Sequence, residues 1–188
     1  MVFIDKMQDI TSVMDEGGLV LMPTDASWSI AGDAYSEFAL EKILNLKKDL
    51  SKYPFTLLVN SLEMFKYYFP YLHPRIETLL SLHERPLTLI LPVASSNVPN
   101  HLKTLHSSVA IRLSYDNFCN TIIDLINGPL IITAARSSMN FPTSFSEIST
   151  SIIEKMDYVC RHKIEKSGFY PEVVAQYNDL GELEFLRE

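Results

Sequence analysis

At 188 residues, 47% of them hydrophobic, the chain is long enough for one well-buried core and short for two, so a single domain over 1–188 is expected. A formal net charge of -7 opposes polyanions, which excludes a broadly basic nucleic-acid surface and leaves room only for a local basic patch. Two cysteines in unrelated segments, Cys119 and Cys160, exclude a disulfide framework and a Cys-rich zinc site, and no apolar run reaches the length of a membrane span. These features fit a cytoplasmic protein with reduced thiols and no membrane partner.

Residues 5–16 place Ile10, Val13 and Met14 at helical spacing and stop at Gly17-Gly18, a pair suited to a left-handed helix end. A short apolar strand follows over 19–22, Pro23 ends its pairing, and 24–32 reads as a loop leading into a helix over 36–48. A strand is expected at 55–59, helices at 62–69 and 75–82, and a strand at 87–91. The rest of the chain reads as a strand at 109–113, a helix at 118–126, a strand at 130–133 and a helix at 145–156 behind Ser144 as its N-cap. Short strands near 158–161, 173–176 and 182–186 close the pass. Interleaved strands and helices without repeats predict an α/β sandwich around a mixed sheet.

Several common chemistries lack their signatures. The five histidines never fall at helical metal-ligand spacing, and neither a Gly-x-Ser-x-Gly elbow nor a Gly-x-x-x-x-Gly-Lys loop is present. The aromatic run Phe65, Tyr67, Tyr68, Phe69 and Tyr71 reads as core packing on a helix face rather than a stacking platform for bases. Lys47, Lys48 and Lys52 fit either an anion site or cations that complement a helix C-terminus.

Ordered blocks along the chain carry a more specific signal: Gly17-Gly18-Leu-Val-Leu-Met-Pro23-Thr24, Gly32-Asp33-Ala34, Ile43 to Lys47, Pro86-Leu-Thr, Val109 to Arg112, Gly128-Pro129-Leu130 and Leu186-Arg187. In this order they resemble the YrdC/YciO-type threonylcarbamoyl-AMP synthase family. The resemblance implies a twisted mixed α/β sheet flanked by helices, with a large concave cavity on one face. It also implies condensation of L-threonine, bicarbonate and ATP, the last with Mg2+, to threonylcarbamoyl-AMP for tRNA modification. By family motif, Thr24 and Arg112 would hold threonine, Lys47 would act at the reacting groups, and Ser108, Arg136 and Ser144 would lie at nucleotide positions. No resident metal site is implied.

The same blocks depart from the family at defined places. Lys47-Lys48-Asp49 stands where the family has Lys-x-Arg, and Thr133-Ala134-Ala135-Arg136 where it has Thr-Ser-Ala-Asn. Tyr170-Pro171-Glu172-Val173-Val174-Ala175 replaces Pro-Ser-Thr-Val-Val-Asp, and Trp28-Ser29 replaces tyrosine and glycine. Each charged hydrogen bond lost to a phosphate is worth about 1.5–3 kcal/mol, so these changes describe an eroded ATP site. Two expectations follow. Asp49 and Arg136 form an ion pair across the cleft, and the protein is either a synthase or a repurposed member that binds a nucleotide or RNA without turnover. RNA binding requires Lys47, Lys48, Lys52, Arg112 and Arg136 to converge on one basic surface.

Overall fold

The computed structural model describes residues 5–46, 55–136, 141–162, 169–177 and 182–187. In chain order these form α1 (Met7–Asp15), β1 (Val20–Pro23), β2 (Trp28–Asp33), α2 (Glu37–Leu46), β3 (Thr56–Val59), α3 (Leu62–Tyr68), α4 (Pro74–Leu82) and β4 (Leu87–Pro92). Then come α5 (Asn100–Lys103), β5 (Ser108–Leu113), α6 (Asn117–Ile126), β6 (Leu130–Ala134), α7 (Thr150–Ile153), β7 (Tyr158–Val159), β8 (Val173–Tyr177) and β9 (Leu183–Arg187). The nine strands form one mixed sheet in the order β7-β1-β2-β6-β3-β5-β4-β8-β9.

Period-two alternation sorts the strand residues onto two faces. Leu19, Leu21, Trp28, Ile30, Leu57, Val59, Leu87, Leu89, Leu91, Val109 and Ile111 belong to a core shared with α2, α3 and α4. Val20, Met22, Ala31, Leu58, Leu130 and Ile132 point the other way and pack with Ile10 and Met14 of α1 and Phe118, Ile122 and Ile123 of α6. Helices therefore cover both faces at the β1-β2-β6-β3 end. On β4 and β5 the residues on the α1/α6 side include Thr88 and Arg112, which are direct cross-strand partners.

Helix ends follow local chemistry. Gly17, at φ 71, closes α1: its N–H donates to Met14 O at 2.9 Å and that of Gly18 to Val13 O at 2.8 Å, the paired bonds of a Schellman cap. Asn127, at φ 53, closes α6 in the same way, with Gly128 N–H reaching Ile123 O at 3.3 Å. At the other end of α6 the Asp116 carboxylate accepts the Cys119 N–H at 2.9 Å.

The sheet and most helices fall where the pattern places them, with two corrections. The segment 24–32 is not a loop throughout: β2 begins at Trp28 and pairs antiparallel with β1, even Pro23 standing opposite Trp28, so only 24–27 turn. The helix expected over 145–156 is broken into a 3₁₀ turn at Phe145–Glu147 and the short α7. Ile148, with φ -86 and ψ 129, is extended and buried, and its seat in the core interrupts the helical path. Of the aromatic run, Phe65, Tyr68 and Phe69 enter the core, while Tyr67 and Tyr71 are exposed.

Candidate functional site

The turn at 24–27 is built around one hydroxyl. Thr24 Oγ1 donates to Ser27 O at 2.9 Å and accepts from the backbone N–H of Ala26 at 3.3 Å, while the Thr24 N–H bonds Ser27 O at 3.0 Å. Such side-chain bonds to nearby backbone explain why threonine suits a tight polar turn after a strand. The turn presents buried Thr24 and Asp25 to the side chain of Arg112, which projects from β5.

Arg112 is 3% exposed and surrounded by oxygen. Its Nη2 donates to Thr24 Oγ1 at 3.3 Å and lies 3.0 Å from Asp25 Oδ1, and its Nη1 donates to Glu172 Oε1 at 3.1 Å. The Asp25 contact is a close ion pair rather than a hydrogen bond, and Asp25 Oδ1 is buried with no hydrogen-bond donor among the described residues. Arg112 Nε likewise makes no hydrogen bond among the described residues. Glu172 Oε1 also accepts the Thr88 hydroxyl, and Asp25 Oδ2 accepts the Tyr115 N–H at 3.2 Å.

Burial is the largest single influence on Arg112 and works against its charge, but the carboxylates of Asp25 and then Glu172 outweigh it, so its pKa stands above the ordinary value. Arg112 is a permanent cation held between two anions. Cys119 lies on the other side of this cluster, its Sγ directed to Pro23 O at 3.6 Å. Burial, followed by the negative charges of Asp116 and Asp25, raises its pKa well above the usual thiol range. It is a structural thiol, not a nucleophile.

A cavity of about 290 Å³ adjoins the cluster, lined by Ala26, Phe141, Thr143, Phe169, Tyr170, Pro171 and Glu172. Backbone bonds hold its wall: Tyr170 N–H to Asp25 O at 3.0 Å, Val173 N–H to Pro86 O at 2.8 Å and Trp28 N–H to Pro142 O at 2.8 Å. The Arg85 guanidinium adds a bond to Pro171 O at 3.2 Å. Glu172, which pairs with Arg112 at 3.1 Å, is among the residues lining the cavity, and buried Arg112 is not.

Of the residues singled out from the sequence, Thr24 and Arg112 meet directly. The Arg136 guanidinium lies 4.3 Å over the ring of Phe141, which lines the cavity. Ser144 adjoins the cavity through its neighbour Thr143, and its Oγ bonds Glu147 Oε1 at 3.1 Å instead of capping a helix. Ser108 stands opposite Pro92 at the start of β5, on the same face as Arg112 but four residues away, roughly 13 Å along the strand. Lys47, and with it the expected Asp49–Arg136 pair, lies outside the described residues. So do Lys48 and Lys52, while the burial of Arg112 removes it from any basic surface patch.

Three site residues escape a reading of chemistry by residue type: Asp25, Thr88 and Glu172. Each carried a signal. Asp25 follows Thr24 in the turn, Thr88 interrupts the apolar run 87–91, and Glu172 is a charge within a late apolar block.

Comparison with known proteins accounts for this arrangement of strands and turn. The Sua5/YciO/YrdC family model, described as "Telomere recombination", matches residues 12–188. The chain belongs to the Sua5/YciO/YrdC family. A threonylcarbamoyl-AMP synthase of Acinetobacter baylyi is 27% identical over 154 residues, covering 78% of this chain and 80% of the relative. In structure, Sua5 of P. abyssi complexed with L-threonine superposes with a TM-score of 0.79 at 22% identity, covering 96% of this chain and 53% of Sua5. YciO of E. coli superposes with a TM-score of 0.78 at 18% identity, covering 97% of this chain and 88% of YciO. The chain thus spans about half of Sua5 and most of YciO, and it shares their fold.

Among the described residues no cluster of three His, Cys, Asp or Glu side chains is placed to hold a metal ion. No described helix is long and apolar enough to cross a membrane.

Proposed function

We propose that this protein is a threonylcarbamoyl-AMP-synthase-type enzyme that joins L-threonine, bicarbonate and ATP, with the amino acid received in the cavity beside Arg112. The observation that carries the reading is the contact of Thr24 with Arg112, 3.3 Å apart, behind a cavity of about 290 Å³. A hydroxyl and a guanidinium side by side offer partners to two of the three polar groups of threonine, its hydroxyl and carboxylate, and leave its amino group to the cavity.

Within this reading the turn at 24–27 and β5 fix the amino acid, because both polar side chains project from rigid hydrogen-bonded backbone. Arg136 and Ser144, on the Phe141 and Thr143 side, supply a cation and a hydroxyl toward the phosphates, and Lys47 would work at the reacting groups. Ser108 would contact the nucleotide farther along β5. Magnesium would arrive with the triphosphate, whose oxygens would hold it and share its charge.

The two carboxylates that already engage Arg112 occupy the group that would take the threonine carboxylate, which favours a second reading: a member that binds a nucleotide without turnover; RNA binding would need a basic surface to which buried Arg112 adds nothing. One experiment separates the two. Purified protein is given ATP, Mg2+, bicarbonate and L-threonine, and pyrophosphate is followed together with the adenylate product. Threonine-dependent release of both supports the synthase. Nucleotide binding by calorimetry without pyrophosphate supports the second reading.

A further inference from the structure

We infer that Glu172 is a built-in occupant of the anion-binding edge of Arg112, and that it sets the specificity of the cavity against ligands bearing a carboxylate. The inference rests on the proposal that the cavity receives an amino acid, and it names the residue that decides how well.

A guanidinium recognises carboxylates through a planar fork of N–H groups, and a buried one facing a cavity would be a receptor for an incoming carboxylate. Here that role is already filled from within the chain. Glu172 Oε1 takes Nη1 at 3.1 Å, Asp25 lies against Nη2 at 3.0 Å, and only Glu172 of the three lines the cavity.

The position of Glu172 is determined by the sheet rather than by chance contact of a long side chain. Val173 and Ala175 of β8 enter the core, so alternation turns Glu172 to the opposite face, the one carrying Thr88 and Arg112. The bond from Thr88 and the backbone anchors of Tyr170 and Val173 then hold the carboxylate in place. A ligand carboxylate must displace this one or sit beside it, and two carboxylates sharing one guanidinium repel each other. A ligand with an uncharged group at that point meets no such competitor.

The test uses the full chain with Glu172→Thr, which keeps a hydroxyl near Thr88 and removes the acid, and Glu172→Gln, which keeps shape and removes charge. Each protein is titrated calorimetrically with L-threonine and with L-threoninamide, in which the carboxylate is an uncharged amide. We expect L-threonine to bind Glu172→Thr at least about tenfold more tightly than wild type, with L-threoninamide changed less than about threefold. Glu172→Gln moves the same way and keeps the test alive should Glu172→Thr fold poorly. Equal changes for both ligands, or no gain for L-threonine in either variant, overturn the inference. The enzymatic reading fails separately: tighter threonine binding in Glu172→Thr with no pyrophosphate from ATP and bicarbonate sinks the synthase and leaves the role of Glu172 standing.

Discussion

Replacing Arg112 by methionine removes the one cation between two carboxylates while filling most of its volume with a flexible apolar chain. The side chains of Arg112, Asp25 and Glu172 are 3%, 9% and 14% exposed, so water cannot readily solvate what is left behind. Removing one partner of such a buried pair costs about 3–5 kcal/mol, mostly because the surviving charges stay buried without compensation. Against a total stability of about 5–15 kcal/mol for a folded chain, that is a large share. With a urea m-value of about 2 kcal/mol/M, the unfolding midpoint of R112M should fall by about 1.5–2.5 M. The single tryptophan, Trp28, reports the transition: it is 4% exposed and meets Phe145 edge to face at 5.4 Å. The double variant R112M/E172Q should recover part of the loss, because one stranded charge has gone. A midpoint for R112M within about 0.5 M of wild type, equivalent to about 1 kcal/mol, would refute the view that this cluster is an interdependent buried ion network.

Three further outcomes are expected. Asp157 accepts the Leu19 N–H at 2.7 Å and pairs with Lys42 at 3.0 Å; burial is the largest influence and raises its pKa, but these partners together bring it below 3.8. A lowered folded value stabilises above the unfolded pKa and fades as pH falls through the folded one, so D157N should cost about 1 kcal/mol at pH 7, with the gap narrowing in denaturation curves once the pH falls below the ordinary aspartate value of about 3.9; a gap independent of pH refutes the assignment. N127A should lose about 1 kcal/mol and N127G should lose none, since only the left-handed φ of 53 is at stake; equal losses by thermal melting would point to the Asn127 side chain instead. Burial raises the pKa of both Cys119 and Cys160, so neither should react with a thiol reagent in the native state at pH 8 and both should in denaturant; rapid native modification of either contradicts its burial.

The parts of the fold legible in the sequence are those where alternation or helical spacing leaves one clear solution, as in the apolar run 87–91 and the Ile10, Val13, Met14 spacing before Gly17-Gly18. β2 was not legible because it holds serine, glycine and aspartate and is separated from β1 by only the four residues 24–27; its pairing comes from the Thr24 turn, a side-chain effect. The broken helix after Ser144 reflects a tertiary demand, the seat of Ile148 in the core, which overrides local spacing. At the site, Thr24 and Arg112 were marked by ordered motifs, whereas their enclosure by Asp25 and Glu172 was not. Arg112 and Glu172 are 60 residues apart, and Thr24 and Arg112 are 88. Their meeting depends on strand order, which no local pattern encodes. Glu172 read alone is a substitution; only the register of β8 against β4 shows which way it faces.

The strand order also determines when the molecule is complete. β1 and β4, made early, flank the central strands, and each receives its outer neighbour from the last third of the chain: β7 beside β1 and β8 beside β4. A chain emerging from its N-terminus therefore leaves the edges of β1 and β4 open until residues near 158 and 173 are free, after which the shorter β7 and β9 are the outer strands, and long open edges are templates for unwanted pairing. For the same interval Arg112 has Asp25 but lacks Glu172. Ion cluster, cavity wall and edge protection are all finished by the same late segment, so the newborn protein is most exposed to aggregation just before its pocket exists.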